Sequence, residues 1–189
     1  MDLNSKYPAI SDLRSKARER IPHFAWEYLD SATGDESTLH RNRSALDAIH
    51  FVPRGLRGEI KPQLATEFLG KSYSAPFGIA PVGMSGLMWP GAEKTLAGFA
   101  AGAKIPYGMS TVATTTPEDV APCLGDMGWF QMYPPRDEAI RNDMIQRVKN
   151  AGFTTLVVTI DVPAQSRRER QIRGGLVQPP RLTPRILAQ

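Results

Sequence analysis

The sequence predicts an α/β protein of the (β/α)8 TIM barrel class, of which this chain supplies the first half only. From Ala75 onward, short apolar runs alternate with helical segments. Each run is continuously apolar, which is typical of parallel strands covered by helices on both faces. No Gly-x-Gly-x-x-Gly sequence follows the first run, and this disfavours an open dinucleotide-binding sheet. A closed barrel usually takes about 250 residues, whereas this chain has 189.

Ahead of the barrel, the sequence predicts a helical leader. Ser11 or Asp12 is expected to cap a first helix, and Pro22 to open a second one. Residues 41–51 indicate one or two further helical turns. Residues 51–68 are interrupted by proline and glycine, which favours a connecting segment.

The predicted elements of the barrel follow in a regular order. The strands are expected at 77–81, 105–110, 129–133 and 155–160. The helices between them are expected at 92–103, from Pro117 onward, and at 136–151, with Thr116 as the N-cap of the second. Short strand-to-helix connections imply right-handed βαβ units and therefore parallel strands. The predicted regions are the leader at 1–74, the half-barrel at 75–177, and the start of a mobile loop at 178–189.

Charge and cysteine content limit the partners. The net charge of +4 is concentrated near the end of the chain, where the arginines are Arg167, Arg168, Arg170, Arg173, Arg181 and Arg185. We interpret this basic end as a solvated loop, with an anion site or acidic lipid as alternatives. Nucleic acid is disfavoured because no aromatic residue is interleaved with these arginines. The single cysteine, Cys123, excludes a disulfide framework and a thiol metal cluster within the chain, so no metal site is predicted.

Polar residues stand where buried strands of the barrel should end. Ser110, Gln131 and Thr159 are at or next to the carboxyl ends of three successive predicted strands, and barrel enzymes place their active sites at that end. A buried glutamine without hydrogen-bond partners costs about 1–3 kcal/mol. A planar heterocycle with donors and acceptors would satisfy Gln131, so the strand ends predict a ligand site.

An ordered series of motifs carries a family resemblance. The barrel motifs are Ala80-Pro81-Val82-Gly83, Met109-Ser110-Thr111, Phe130-Gln131-Met132-Tyr133, Thr159-Ile160-Asp161-Val162-Pro163 and Arg167-Arg168-Glu169. Residues 26–32, 41–43 and 51–54 of the leader match as well. The chain resembles, over essentially its whole length, the FMN-dependent L-2-hydroxy acid dehydrogenases and oxidases, which include glycolate oxidase, L-lactate dehydrogenase and mandelate dehydrogenase.

The resemblance implies an FMN cofactor and the oxidation of an L-2-hydroxy acid to a 2-oxo acid. The residues implied to hold the flavin are Pro81, Val82, Gly83, Ser110, Gln131 and Thr159. Tyr28, Tyr133 and Arg168 are implied to face the substrate, with Tyr133 and Arg168 in the catalytic set. An arginine guanidinium can bind a carboxylate through two hydrogen bonds. Val112 stands where small-substrate members have tryptophan, which favours a medium or aromatic substrate.

The resemblance also implies parts that have no counterpart in this chain. They are a catalytic histidine, a lysine beside the flavin, a second substrate arginine and a phosphate site. His23, His40 and His50 all precede the barrel and are interpreted as surface or leader residues. We therefore expect the carboxy-terminal half of the barrel, as a separate chain or fragment, to complete the active site. The family also implies a homo-oligomer, a tetramer in known members. The single cysteine favours a reducing compartment, so we expect a cytoplasmic location. In membrane-associated members of the family the loop after the fourth strand contacts lipid, which suits the arginine-rich end and a peripheral position on the cytoplasmic face of the inner membrane.

Two other functions remain open from the sequence. One is a different FMN barrel, such as a flavin-dependent isomerase or an inosinate-dehydrogenase-like enzyme, which would lack the set of Tyr28, Tyr133 and Arg168. The other is a non-catalytic half-barrel remnant that serves as an interaction module. A yellow purified protein would exclude the remnant, and bleaching by an L-2-hydroxy acid would exclude the other FMN barrels.

Overall fold

The computed structural model describes residues 2–160 and 166–176. The described residues divide into two compact units, the first made of residues 2–55 and 166–176 and the second of residues 56–160. Asp161, Arg181, Arg185 and the predicted loop at 178–189 lie outside the described residues. The predicted boundary between leader and barrel at residue 74 stays a prediction.

The described residues form helices of four to thirteen residues and strands of three to five. The helices are α1 Leu3–Lys6, α2 Ile10–Arg20, α3 His23–Asp30, α4 Ser37–Asp47, α5 Ser85–Met88, α6 Ala92–Ala103, α7 Pro117–Leu124, α8 Glu138–Asn150 and α9 Glu169–Gly174. The strands are β1 Thr66–Phe68, β2 Lys71–Tyr73, β3 Tyr107–Ser110, β4 Gly128–Met132 and β5 Thr155–Val158. The predicted helices at 92–103, from Pro117, and at 136–151 are confirmed as α6, α7 and α8.

In the first unit, one predicted helix start is confirmed and another is wrong. Pro22 precedes α3 as predicted. The prediction that Ser11 or Asp12 is the N-cap of α2 is wrong, because the N-cap is Ala9. Alanine has no side-chain acceptor, so Asp12 at the third helical position accepts from the Ala9 backbone N–H instead, at 2.9 Å.

The second unit contains a parallel sheet of order β3-β4-β5. Ser110 is in register with Gln131, and Gln131 with Val157, which confirms the predicted parallel pairing. The first predicted strand is reduced to a single parallel bridge between Ile79 and Tyr107. The ladder between this segment and β3 does not continue past Ile79, because Pro81, two residues further along, has no N–H to donate.

A β-hairpin was not predicted within the connecting segment. Strands β1 and β2 pair antiparallel, and the turn between them is Leu69-Gly70, both with positive φ. Positive φ at both turn residues is the requirement of a type I′ hairpin turn, for which Asn-Gly is the usual signal. The predicted connecting segment at 51–68 therefore ends in a strand, which was not predicted from the sequence.

The core of the second unit lies between the parallel sheet and the helices α6, α7 and α8. Its buried members include Ala97, Ala100, Met109, Val120, Leu124, Phe130, Met132, Val148 and Phe153. Phe130 and Phe153 pack edge to face with ring centroids 5.8 Å apart. The layer of helices fixes one face of the sheet and leaves the carboxyl ends of the strands to carry polar groups.

Candidate functional site

A row of three polar side chains crosses the carboxyl ends of β3, β4 and β5. Ser110 ends β3, Gln131 lies in register beside it on β4, and Thr159 directly follows β5. The Thr159 backbone N–H donates to the Met132 carbonyl at 3.0 Å, which continues the ladder by one residue. Parallel pairing of neighbouring strands is therefore what brings the three side chains together.

Hydrogen bonds within this row fix the Gln131 amide. Ser110 Oγ donates to Gln131 Oε1 at 3.2 Å, and Gln131 Nε2 donates to Thr159 Oγ1 at 2.8 Å. Gln131 is only 5% exposed, as expected for a residue that faces inward. The protein itself thus supplies the partners for which the sequence suggested a ligand, and the amide is held in one orientation.

Thr111 is a further residue of this edge, and no role for its side chain was assigned from the sequence. Its hydroxyl donates to the Gln131 carbonyl oxygen at 2.6 Å and accepts from the Tyr133 backbone N–H at 3.2 Å. Tyr133 itself is 47% exposed. The Thr111 hydroxyl therefore joins the ends of β3 and β4 and fixes the backbone from which the Tyr133 side chain projects.

The loop after Ile79 lies against the loop after β3. The Met84 N–H donates to the Val112 carbonyl at 2.8 Å. Within β3, glycine is required at position 108 because Pro81 approaches closely there. A Cβ on Gly108 would lie 2.8 Å from Pro81 Cδ and 2.9 Å from Pro81 N. Pro81 and Val82 are exposed, as is Val112 at 46%. The backbone at 81–83, which is predicted to contact the flavin, and Val112, which is predicted to influence substrate size, thus belong to adjoining loops.

In the first unit, the structure brings Tyr28 and Arg168 together. Arg168 Nη2 donates to the Tyr28 carbonyl at 2.6 Å, to the Ser31 carbonyl and to the Ser31 hydroxyl at 3.3 Å. Its guanidinium carbon also lies 5.3 Å from the centroid of the Tyr28 ring. Ser31 is the C-cap of α3, so Arg168 satisfies carbonyl groups that the helix end leaves without partners.

Arg170, which the sequence suggested only as part of a basic run, is the centre of an ion cluster. Its guanidinium pairs with Glu27 at 2.7 Å, Asp30 at 3.1 Å and Glu36 at 3.1 Å. Burial acts to raise the pKa of the Asp30 carboxyl, but hydrogen bonds from Arg14 and Arg170 outweigh it and hold that pKa below its ordinary value. The Ala32 N–H and Arg170 likewise lower the pKa of Glu36. The cluster links α3, which carries Tyr28, to α9, which follows Arg168.

The three histidines are surface residues of the leader, as predicted. His23, His40 and His50 are exposed residues of the first unit. Within residues 2–160 and 166–176, no group of three or more histidine, cysteine, aspartate or glutamate side chains is arranged to hold a metal ion.

Comparison with known proteins identifies relatives over most of the chain. The profile of the FMN-dependent dehydrogenase family matches residues 17–189. An L-lactate dehydrogenase of Xanthomonas campestris pv. campestris (strain 8004) is 37% identical over 171 residues, which are 90% of this chain and 44% of that protein. An L-lactate dehydrogenase of Vibrio parahaemolyticus serotype O3:K6 (strain RIMD 2210633) is 36% identical over 171 residues, 90% of this chain and 45% of that protein.

Solved structures give the same result for the fold. A mandelate oxidase bound to 3,3-difluoro-2-hydroxy-3-phenylpropionic acid superposes with a TM-score of 0.84 at 33% identity, covering 92% of this chain and 52% of that one. A monotopic membrane protein, (S)-mandelate dehydrogenase, superposes with a TM-score of 0.86 at 33% identity, covering 95% and 48%. The chain thus spans about half the length of the relatives that it matches, and the predicted first part of a (β/α)8 barrel is confirmed.

Proposed function

The chain belongs to the FMN-dependent dehydrogenase family, and from this premise we propose that it forms the flavin-binding first half of an enzyme that oxidises an L-2-hydroxy acid to a 2-oxo acid. The observation that carries the proposal is the hydrogen-bonded row of Ser110, Gln131 and Thr159 at the strand ends. Such a row is the polar edge that a flat heterocyclic ligand needs in an otherwise apolar barrel.

The residues of this edge fit a flavin. An amide nitrogen carries two hydrogens, and Gln131 Nε2 directs one of them to Thr159, so the second remains for a ligand carbonyl. The Thr159 hydroxyl accepts that bond and keeps its own hydrogen to donate. Pro81, Val82 and Gly83 would offer backbone beside the ring. A bound flavin supplies the two-electron acceptor that oxidation of an alcohol requires.

Arg168 and the two tyrosines would hold the substrate. Within the described residues, Arg168 uses only Nη2 for its bonds to the end of α3, which leaves the donors on Nε and Nη1 for a carboxylate. The ring of Tyr28 against the guanidinium restricts its rotation and so orients those donors. Tyr133 would direct its phenol to the substrate and would position C2 for transfer, which is a contribution of proximity and orientation.

The substrate class follows from charge and size. Arg168 favours an acid, and Val112 leaves room where a larger side chain would close the pocket. Each buried methylene gains about 0.8 kcal/mol, so we propose a medium or aromatic 2-hydroxy acid in preference to glycolate.

Completion of the barrel by a carboxy-terminal half is part of the proposal. Val158 and Ile160 near the β5 edge are 44% and 88% exposed, and Phe77 is 65% exposed. An apolar groove of about 460 Å³ lies beside the segment around Ile79 and the hairpin of β1 and β2, lined by residues that include Phe68, Tyr73, Ile79 and Trp129. Soluble proteins rarely leave strand edges and apolar surface of this kind uncovered. The missing strands would cover both and bring the proton-abstracting base.

Location and assembly are also part of the proposal. Within the part of the chain that the structure describes, no helix is long and apolar enough to cross a membrane. A cytoplasmic protein with peripheral contact to the cytoplasmic face of the inner membrane is supported by the arginine-rich end and by the similarity to a monotopic membrane protein. We propose a homo-oligomer by analogy with the family.

The test is anaerobic reduction of the FMN-loaded protein after it has been combined with the carboxy-terminal half of the barrel, which would supply the base. Addition of L-lactate or L-mandelate is expected to bleach the flavin absorption, whereas the D-enantiomers, as matched controls, leave it unchanged. A protein that stays yellow with every L-2-hydroxy acid refutes the oxidation. A protein that does not retain FMN refutes the flavin site as well and supports a non-catalytic remnant.

A further inference from the structure

A buried glutamate lies beneath the two loops of the proposed flavin site. Glu93, in the first turn of α6, is only 1% exposed. One of its oxygens, Oε1, accepts three hydrogen bonds: from the Gly86 N–H at 3.2 Å, from the Thr114 N–H at 3.0 Å and from the Thr114 hydroxyl at 2.7 Å. Gly86 lies in α5, in the segment between Ile79 and α6, and Thr114 lies in the loop after β3. One carboxylate oxygen therefore joins both segments.

The carboxylate is held in its charged form. Burial acts to raise the pKa of the Glu93 carboxyl, but the hydrogen bonds from Thr114 and Ser85 outweigh that effect and keep the pKa below its ordinary value. Hydrogen bonds to a charged acceptor are roughly twice as strong as those between neutral groups. The link between the two loops is therefore stronger than a neutral side chain could make it.

Packing alone does not explain a glutamate here. A well-packed apolar side chain is often as stabilising as a buried ion and its partners, and Glu93 lies next to the apolar core that α6 builds with Ala97 and Ala100. What an apolar side chain cannot do is fix Gly86 and Thr114 at one point. The contact is so close that a Cβ on Gly86 would lie 1.9 Å from Thr114 Oγ1.

We propose that Glu93 is a positioning residue, which joins the loop after Ile79 to the loop after β3 and thereby sets the backbone at Pro81–Gly83 and Val112 relative to each other. The hydrogen bond from the Met84 N–H to the Val112 carbonyl fixes the relative position of the two loops on their exposed side as well. This inference rests on the proposed function, since it assigns to Glu93 the geometry of the flavin and substrate-size positions.

The first test is hydrogen exchange of the protein without FMN, in the parent, Glu93→Gln and Glu93→Met. In Glu93→Met, amides of 84–88 and 111–115 should exchange about tenfold faster or more, because three donors lose their acceptor. Amides of β4 should be unaffected. Glu93→Gln keeps an oxygen in place, so its exchange rates in these amides should lie between those of the parent and those of Glu93→Met. Glu118→Gln is the matched control, since it removes a carboxylate from an exposed ion pair with Arg147.

Unchanged exchange in both loops of Glu93→Met overturns the proposal. So does equal acceleration in β4, because that result marks a residue needed only for the core. If Glu93→Met does not fold, Thr114→Val provides the test: it removes the bond of 2.7 Å but keeps the size of the side chain, and it should accelerate exchange in the same two loops to a smaller degree.

The second test measures FMN binding by quenching of flavin fluorescence, with the parent and each variant combined with the carboxy-terminal half, where the flavin lysine and the phosphate site are expected. Glu93→Met should raise the dissociation constant about tenfold, and Glu93→Gln less than about threefold, by the same loss of hydrogen bonds; Glu118→Gln should match the parent. An unchanged dissociation constant in Glu93→Met overturns the positioning role. If the parent does not bind FMN, the proposed function fails, and hydrogen exchange still decides whether Glu93 joins the loops.

Discussion

Gly86→Ala tests how tightly the two loops are packed. A methyl group at position 86 would lie 1.9 Å from Thr114 Oγ1, 3.0 Å from Thr114 Cβ and 3.4 Å from Glu93 Oε2. The loops would have to separate by about 1 Å, and overpacking of this kind costs about 1–3 kcal/mol. The separation would also break the Gly86 N–H bond to Glu93, worth about 1 kcal/mol. We therefore expect a loss of about 2–4 kcal/mol in the free energy of unfolding.

The assay is urea unfolding followed by far-ultraviolet circular dichroism, with Gly98→Ala as the matched control. Gly98 is inside α6, and a Cβ there meets nothing within 4 Å. Alanine in a helix interior is favoured over glycine by about 0.5–1 kcal/mol, so the control should gain stability. The double variant Gly86→Ala/Thr114→Ala should recover part of the loss, because it removes the hydroxyl at 1.9 Å. Equal midpoints for Gly86→Ala and Gly98→Ala would refute the close contact on which this reasoning depends.

Three further variants test the substrate positions and the ion cluster. Arg168→Lys should raise KM for the hydroxy acid while FMN stays bound, because an ammonium cannot make two parallel bonds to a carboxylate; release of FMN would instead assign Arg168 to the cofactor. Val112→Trp should lower kcat/KM for mandelate more than for glycolate, and a uniform loss would remove its role in size selection. Arg170→Met should cost about 2–4 kcal/mol at pH 7, between the values for exposed and buried ion pairs. Since the pKa values of Asp30 and Glu36 are lowered in the folded state, this difference should shrink in urea titrations as the pH falls through those values, and a difference independent of pH would contradict the pairing.

The parallel sheet could be predicted because its signals are local. Strands β3, β4 and β5 lie within short apolar runs, and the four residues Thr116-Pro117-Glu118-Asp119 mark the start of α7. The polar row was visible for the same reason, since Gln131 interrupts a run that is otherwise apolar. Elements of this kind carry their periodicity and their caps within themselves.

The rest depends on contacts between distant segments. The helices α5 and α9 span only four and six residues, too few for a helical period to be read. Glu93 resembles the acidic residue that commonly stands exposed in a first helical turn, and only its distance to Thr114 reveals another role. Arg170 stands in a run of arginines, and its three carboxylates come from residues more than a hundred positions earlier. No local pattern could have distinguished it from its neighbours.

The pairing order of the sheet has a consequence for how the protein is made. Ile79 bridges to β3, β3 pairs with β4, and β4 with β5, so each segment finds its partner in the next one along the chain. Parts of a protein generally fold from the amino terminus as they are synthesised. Each strand of this sheet can join a preformed edge as it leaves the ribosome, and the loop contact at Glu93 can form once Thr114 has emerged. The polar row is completed last, by Thr159, so the ribosome has released nearly the whole second unit before a flavin could bind.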